Sequence, residues 1–531
     1  MIKSWGKKEA ITVCWFVCCF VLAVIVRVYK LGDIPYGLHV DEAGMGYDAW
    51  LLQRYHMDRW QNQLPVYLIN YGGGQSALYA YLCAAFIKLL GDGESWNILW
   101  MRLPGVVVNL MAYIAGVQII GKIFQKKWKM ISAILLAVLP YFVMQCRFGL
   151  DCNLLVNMLT ISLYILFLAV EYQRTWIFLL AGVLYGLTYY SYVLSYVPNT
   201  LLLLFITYYL LSKDRRYWKN LLCVWVVVVV IAFPLVLMII INQFELPELI
   251  LGVFTIPRLP IYRGNTFDFN LVTVFINVGY TLSAILTRDP LDYNAFDRYY
   301  TMYRISIPFI LIGFVDCTKH VVIHLRKREE AIDLSLFLWA AFCIYFICGW
   351  FLGLEDPPNV NKMNGIFFAQ FFLLIWGIRK VVEWGKKRNK KLTRVGIALL
   401  CSVYLFDAAS FLQYYFVQYV TDIYPQIIFF DTYEKIIDHL YENDMENRTI
   451  YIMGSVYTCF DLSMIGRDEI LLEQQKEYKN YRFYAPEVID PHAVYIIPDT
   501  YEMWNTLLLE AGLNVQCEDG MYRCYYSDTS E

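Results

Sequence analysis

The chain has 531 residues, of which 59% are hydrophobic and 17% are charged, and its formal net charge is -2. Soluble domains carry roughly 45–50% apolar residues, so this composition excludes an ordinary soluble enzyme, a coiled coil and a disordered chain. The near-neutral charge comes without a basic face, which argues against a nucleic-acid partner. The sequence therefore predicts an α-helical protein that crosses a membrane many times.

Eleven apolar stretches have about the 17–25 residues that a helix needs to cross a bilayer. They are residues 10–29, 102–123, 130–146, 153–170, 176–193, 197–212, 219–241, 302–318, 331–352, 364–383 and 394–414. If these spans alternate, the connections rich in Lys and Arg all lie on the side of the N-terminus. This pattern predicts a cytoplasmic N-terminus, an uncleaved first span and an extracytoplasmic C-terminus.

The chain is predicted to have two regions. Residues 1–424 form the membrane region, with a long external loop at 30–101, and residues 425–531 form an extracytoplasmic α/β domain. In the second region, hydrophobic patterns predict helices at 433–441 and 501–511 and strands at 449–453, 493–497 and 521–526. Alternating strands and helices are typical of a small α/β domain.

The first external loop begins with an acidic pair, Asp41 and Glu42, and Asp48 follows seven residues later, about two helical turns on. The plainer interpretation is helix capping, which contributes about 0.5–2 kcal/mol. However, Gly44 and Gly46 follow at once, and glycine permits a ligand to approach the backbone closely. We therefore predict that the acidic pair belongs to a ligand site.

Charged residues also stand at the predicted outer ends of two spans. Arg147 and Asp151 are four residues apart, which places them on one helical face; an internal ion pair is the plainer explanation. Arg102 has an ordinary explanation as an interfacial anchor. Charges this close to the hydrocarbon are nevertheless functional candidates.

A fourth polar patch is the stretch PPNVNKMN, which includes Asn361, Lys362 and Asn364. Pro and Asn favour a turn, and a turn alone would explain it. Together with the preceding residues, it brings carboxylates, cations and amides to one predicted face of the membrane. This set suits a reaction in which a lipid-bound phosphate leaves, because carboxylates deprotonate an acceptor hydroxyl or hold a metal while cations stabilise the phosphate.

Several segments resemble the GT-C membrane glycosyltransferases, in particular the protein O-mannosyltransferases and the bacterial aminoarabinose (lipid A) transferases. They are the Asp-Glu pair after the first span, LYAYLCAAFIKLLG followed by RLPG, and LAVLPYFVMQCRFGLDCNLL. The resemblance implies a GT-C-like fold. It also implies transfer of one hexose or pentose, with inversion, from a polyprenyl-phosphate donor to a glycan, lipid or protein acceptor of the envelope. A bacterial plasma membrane is the expected location.

The resemblance implies that Asp41 is the general base or the carboxylate that orients the acceptor, Glu42 its neighbour and Asp151 a second acid. The predicted site residues are Asp41, Glu42 and Asp151 for catalysis, Arg102, Arg147 and Lys362 for the donor phosphate, and Asp48, Asn361 and Asn364 for the substrate. Many relatives carry Lys-Pro-Pro-Leu before the in-plane helix, whereas residues 74–78 here read GQSAL. The expected phosphate-binding lysine is therefore absent, and participation of a divalent metal ion stays open.

Two other classes of protein fit part of the pattern. A transporter or flippase of lipid-linked sugars is the main alternative, but transporters usually place polar sites at the bilayer midplane, often within inverted repeats. Here the central parts of the spans are almost free of charge and no inverted repeat is evident. A non-catalytic scaffold of envelope assembly is the third option. The enzyme is the preferred interpretation.

Overall fold

The computed structural model describes residues 7–70, 72–91, 97–262, 267–287, 294–327, 330–353, 357–419, 429–430, 434–454, 476–520 and 522–527. Most of these residues are helical. The helices up to residue 413 are α1 Lys7–Val28, α2 Val40–Tyr55, α3 Leu78–Leu90, α4 Ile98–Ile123, α5 Lys126–Val138, α6 Pro140–Met144, α7 Asp151–Tyr172, α8 Thr175–Tyr189, α9 Tyr196–Lys213, α10 Trp218–Gln243, α11 Leu271–Leu286, α12 Ile307–Arg326, α13 Ser335–Gly349, α14 Phe367–Arg388 and α15 Lys390–Gln413.

Each of the eleven predicted spans contains a helix. Within the described part of the chain, eight helices are long and apolar enough to cross a membrane, and all eight coincide with predicted spans. The other three spans correspond to shorter helices: α8, α13, and the α5–α6 pair. Pro140 divides α5 from α6, because proline lacks an N–H group and keeps the preceding Leu139 extended. The multi-pass fold is confirmed, while the number of eleven crossings stays a prediction.

The long helices differ in how much of their surface the protein covers. In α7, 83% of the most apolar stretch is buried, whereas in α15 only 17% is buried. A helix that is apolar on all sides suits either a protein core or a lipid environment, so hydropathy alone does not separate the two. The central helix α7 begins at Asp151, which brings one end of the core to the candidate site.

Residues 242–301, the connection between the predicted spans 219–241 and 302–318, contain structure that the sequence did not predict. Strands β4 Leu249–Leu251 and β5 Phe254–Ile256 form a hairpin, and α11 follows. In α11, Thr273 and Asn277 are buried while Leu271 and Phe275 are exposed. This arrangement reverses the usual amphipathic pattern and is typical of a helix that faces lipid.

The last hundred residues contain a six-stranded mixed sheet. Its strand order is β11 Asn514–Asp519, β12 Tyr522–Tyr526, β10 Val494–Pro498, β7 Ile450–Ile452, β9 Tyr481–Arg482 and β8 Glu477–Tyr478. Strand β7 pairs in parallel with β10 and β9, and the other pairs are antiparallel. Two helices, α16 Glu434–Glu442 and α17 Glu502–Glu510, accompany the sheet. The predicted strands and helices of this region are all present, and β8, β9 and β11 add to them.

One hydrophobic cluster joins this sheet to the first external segment. It includes Trp50 and Leu52 from α2, and also Leu440 from α16, Ile450 from β7 and Ile496 from β10. All five side chains are buried. The C-terminal sheet therefore packs against the segment that carries the acidic pair.

Candidate active site

The first external segment folds around the N-terminus of α2. Strand β1, Leu38–His39, leads directly into this helix, so Asp41 and Glu42 lie in its first turn. The His39 Nδ1 atom accepts a hydrogen bond from the Asp41 amide at 3.1 Å, and a Glu42 carboxylate oxygen accepts from the His39 amide at 3.4 Å. Burial lowers the pKa of His39, so its imidazole stays neutral and Nδ1 keeps its lone pair. The helix capping of the plainer interpretation is therefore present: the His39 side chain caps α2, and Glu42 accepts from the His39 amide in return.

Asp41 is the more accessible member of the acidic pair, with 42% of its side chain exposed. The Asn70 side-chain amide donates a hydrogen bond to its Oδ1 at 3.0 Å. The Asn70 carbonyl oxygen in turn accepts from the Arg59 guanidinium. The carboxylate is thus oriented by one amide and still reachable, which is the geometry that a general base requires.

Glu42 is buried and makes an ion pair with Arg102, whose Nε and Nη2 donate to its carboxylate at 2.9 and 3.1 Å. A guanidinium has five N–H donors. The remaining three donate to the carbonyls of Leu31, Pro35 and Gly37. All five donors of Arg102 are occupied within the protein, so its predicted contact with a donor phosphate does not fit this geometry.

Arg147 is also buried, and its guanidinium binds the main chain at the end of α1. Its guanidinium donates to the main-chain carbonyls of Val26, Arg27, Tyr29, Lys30 and Ile34. A cation is favourable at this position because the last carbonyls of a helix carry partial negative charge. Residues 145–150 lie between α6 and α7 rather than in a helix. The predicted common helical face of Arg147 and Asp151 is therefore wrong, and no ion pair joins these two described residues.

Asp151 begins α7 and is largely buried. Its Oδ2 accepts from the Ser76 amide at 3.0 Å, and its Oδ1 accepts from the Cys152 amide at 2.7 Å. The carboxylates of Asp41 and Asp151 are near enough to interact electrostatically. The structure therefore brings together the two acids that the sequence predicted.

A short hairpin connects these two acids. Strands β2 Tyr67–Asn70 and β3 Gly73–Ser76 pair antiparallel, with Asn70 opposite Gly73. The end of β2 supplies the Asn70 amide to Asp41, and the end of β3 supplies the Ser76 amide to Asp151. Ser76 belongs to the GQSAL stretch that stands where many relatives carry the lysine motif. This stretch therefore contributes a main-chain donor, the Ser76 amide, to the site.

Asp48 lies deeper in the protein than Asp41 and is fully buried. It accepts from the Arg59 amide at 3.0 Å, and its carboxylate is 3.4 Å from the Arg59 guanidinium. A chain of polar contacts thus runs from Asp48 through Arg59 and Asn70 to Asp41. Asp48 is therefore connected to Asp41 through these contacts, and its own carboxylate is not exposed. Sequence reasoning missed Arg59 and Asn70, because their partners are set by the hairpin.

The asparagine-rich loop reaches the same helix as Asp151. Asn153, on α7, accepts from the side-chain amides of Asn294 at 3.0 Å and Asn364 at 3.4 Å. Asn294 also donates to Asn361 at 2.5 Å. The loop is a turn closed by Asn359, as the plainer interpretation expected. Asn361 and Asn364 are therefore linked through Asn153 to the start of α7.

Lys362 differs from the other two predicted phosphate ligands. It is partly exposed, whereas Arg102 and Arg147 are fully buried. Its ammonium group donates to the Pro357 carbonyl at 3.1 Å. Among the described ranges, no three His, Cys, Asp or Glu side chains come together as a group that could hold a metal ion.

Comparisons with known proteins agree with this architecture. Residues 75–241 match the model of the dolichyl-phosphate-mannose-protein mannosyltransferase family. Among solved structures, ArnT from Cupriavidus metallidurans bound to undecaprenyl phosphate is similar over 98% of both chains, with a TM-score of 0.55 and 10% identity. The archaeal oligosaccharyltransferase AglB from Archaeoglobus fulgidus, in complex with an inhibitory peptide and a dolichol-phosphate, gives a TM-score of 0.50 and 12% identity.

The match to AglB covers 88% of this chain and 65% of AglB. No curated protein sequence matches this chain significantly. At these identities the solved structures establish the fold, and the family model covers the segment from the hairpin to the end of α10. The chain is a multi-pass membrane protein with the fold of the GT-C glycosyltransferases, and it resembles their protein mannosyltransferase and ArnT branch.

Proposed function

We propose that this protein is a glycosyltransferase that moves one sugar from a polyprenyl-phosphate carrier to an acceptor hydroxyl. The observation that carries the proposal is the reachable, amide-oriented carboxylate of Asp41 beside the buried Asp151. The fold shared with ArnT and AglB, proteins solved with undecaprenyl phosphate and dolichol-phosphate, supports a lipid-phosphate donor.

In the proposed reaction, Asp41 takes the proton of the acceptor hydroxyl. The acceptor oxygen then attacks the anomeric carbon of the sugar while the bond from that carbon to the phosphate oxygen breaks. Polyprenyl phosphate leaves with the bonding electrons, and the anomeric configuration inverts. Asp151 places a second carboxylate near Asp41. This carboxylate adds negative charge to the site, which suits the site to hold the polar groups of the incoming substrate.

The proposed phosphate ligand is Lys362, because it is the partly exposed cation of the three that the sequence predicted. A cation near the leaving phosphate stabilises the charge that develops there. Asn361 and Asn364 join the turn that carries Lys362 to Asn153 in the first turn of α7, Asn361 by way of Asn294. In this assignment Glu42, Arg102, Arg147 and Asp48 hold the site in shape rather than contact the substrate.

The proposed location is the outer face of a bacterial plasma membrane, with the N-terminus in the cytoplasm. The distribution of Lys and Arg between the spans supports this orientation. The sugar is a hexose or a pentose, and the acceptor is a glycan, lipid or protein of the envelope. Each of these assignments rests on the resemblance described above and on the positive-inside pattern.

The test is the release of polyprenyl phosphate from a panel of radiolabelled polyprenyl-phosphate sugars. The purified wild type, Asp41→Asn and Asp33→Asn are compared in liposomes with a membrane extract as the source of acceptors. Asp33 is an exposed acid of the same loop and serves as the matched control. We expect release by the wild type and Asp33→Asn, and a rate about 10²–10⁴-fold lower for Asp41→Asn. Movement of labelled lipid across the bilayer without any release would instead establish a transporter.

A further inference from the structure

A short strand from the C-terminal part of the chain lies beside the acidic pair. Strand β6, Phe429–Phe430, pairs antiparallel with β1, so that Phe429 is opposite His39 and Phe430 is opposite Leu38. His39 is the residue that caps α2 and accepts from the Asp41 amide. The pairing therefore joins residue 429 to the backbone two residues before Asp41.

The side chain of Phe429 is almost fully buried at this point. Its ring packs edge-on against the His39 ring, with a centroid distance of 6.2 Å, and against the Phe148 ring at 5.3 Å. Aromatic rings at such distances and in edge-on geometry attract each other in addition to the burial of their area. Phe429 is thus a rigid, well-packed contact of the residue that caps the helix of Asp41.

The same ring also reaches the other acid. Phe429 forms one small hydrophobic cluster with Phe148, Leu150 and Cys152. Leu150 and Cys152 are the two residues on either side of Asp151. A single side chain therefore contacts the segment before Asp41 and belongs to the cluster that flanks Asp151, although it is almost 280 residues further along the chain.

We propose that Phe429 is a positioning residue that sets the separation between the carboxylates of Asp41 and Asp151. The inference rests on the proposed function, since it assigns the two acids to one reaction. Removing the ring leaves a cavity between the segment before Asp41 and the residues that flank Asp151. The two segments then lose the side chain that packs against both of them. A displacement of about 1 Å in a catalytic group costs on the order of 10²-fold in rate.

The test compares Phe429→Ala and Phe429→Leu with Leu508→Ala in the full-length protein. Leu508 is a buried residue of α17 in a hydrophobic cluster that contains neither His39 nor Phe148, so it is a matched control for loss of buried apolar volume. We expect kcat to fall about 10–100-fold in Phe429→Ala, with the donor KM within about twofold of the wild type. Phe429→Leu is expected to lose less, and Leu508→Ala is expected to keep kcat.

Two further measurements separate positioning from a general loss of structure. The kcat–pH profile of Phe429→Ala is expected to shift on its acidic side, because the interaction between the two carboxylates depends on their separation. Hydrogen exchange at the Asp41 amide is expected to accelerate in Phe429→Ala and to stay unchanged in Leu508→Ala. The exchange measurement does not depend on turnover.

Wild-type kcat and pH profile in both Phe429 variants would overturn the inference, as would an equal loss of kcat in Leu508→Ala. If Phe429→Ala does not fold, Phe429→Leu carries the same comparison. A wild type that releases no polyprenyl phosphate would instead overturn the proposed function. In that case, unchanged exchange at Asp41 in both Phe429 variants would overturn the structural part of the inference as well.

Discussion

At the scale of single residues, two neighbouring carboxylates occupy very different surroundings. Asp41 is partly exposed and accepts from one amide, whereas Glu42 is buried against a guanidinium. Successive residues of a helix point about 100° apart, so adjacent acids at a helix start face different neighbours. The fold therefore leaves one acid of the pair reachable and holds the other in a buried ion pair, and only the reachable one is the base in the proposed function.

The ion pair between Glu42 and Arg102 leads to a stability prediction. Arg102→Met leaves the Glu42 carboxylate buried without its cation, which is expected to cost about 3–5 kcal/mol and to lower Tm. The double variant Glu42→Leu with Arg102→Met is expected to recover most of this loss, because no charge is then left buried. Thermal unfolding in detergent measures both. If Arg102→Met is as stable as the wild type but has a raised donor KM, then Arg102 binds the donor phosphate, as the sequence predicted.

Lys362 leads to a prediction about the donor. Lys362→Ala is expected to raise the donor KM about 10–100-fold, since a hydrogen bond to a charged group contributes about 1.5–3 kcal/mol. Lys362→Arg is expected to keep much of the affinity because the charge remains. Lys30→Ala removes an exposed cation elsewhere in the first external segment and is the control. Steady-state kinetics with varied donor provide the measurement, and equal KM values in all variants would contradict the assignment.

At the scale of secondary-structure elements, the site depends on a hairpin that lies against α2. A Cβ atom on Gly44 would be 2.4 Å from the Asn70 amide oxygen and 2.8 Å from an Arg59 nitrogen. Gly44 therefore makes room for the side chains that orient Asp41, and the predicted close approach at this glycine is made by the protein itself. At Gly46 the corresponding neighbour is the Met101 thioether.

This packing predicts different outcomes for two substitutions on the same helix. Gly44→Ala is expected to displace Asn70 and to lower kcat at least tenfold, since the orientation of Asp41 depends on that amide. Gly46→Ala displaces the flexible Met101 side chain rather than the Asn70 amide that orients Asp41, so kcat is expected to change less. Both variants gain about 1 kcal/mol of helix propensity. Turnover measured alongside Tm distinguishes them, and wild-type kcat in Gly44→Ala would refute the role of the hairpin.

At the scale of the whole molecule, the C-terminal sheet and the first external segment share one hydrophobic cluster. Strand β6 adds a second connection between the same two parts of the chain. Because packed side chains transmit displacement, changes in the C-terminal region are expected to reach α2.

Leu440→Ala tests this connection. The substitution is expected to cost about 2–5 kcal/mol and to raise hydrogen exchange in α2, because Leu440 belongs to the cluster that contains Trp50 and Leu52. Leu508→Ala, in the separate cluster around β10 and α17, is expected to raise exchange there and not in α2. Exchange measured by mass spectrometry over residues 40–55 is the readout. Equal protection of α2 in both variants would show that the two parts are independent.

Several features of the site were predictable and others were not. The positions of the spans, three of the six strands of the C-terminal sheet and the presence of Asp41 and Asp151 in one site follow from hydrophobic pattern and from the resemblance. The shared helical face of Arg147 and Asp151 was wrong because residues 145–150 leave the helix. Arg59 and Asn70 were missed because an isolated polar residue in a loop carries no periodic signal. Phe429 was missed because an apolar residue far along the chain looks like any other core residue.

The amino-acid sequence by itself determined that this protein is a multi-pass membrane protein and where its long apolar helices lie, and it singled out the charged residues of the candidate site, because hydropathy and charge are local properties of the chain. Only the tertiary structure decided what those charges do. Arg102 and Arg147 have the same charge as Lys362, but both are fully buried and donate to carbonyl groups of the protein, whereas Lys362 is partly exposed. Role depends on which partners a group meets after folding, and those partners come from segments tens to hundreds of residues away.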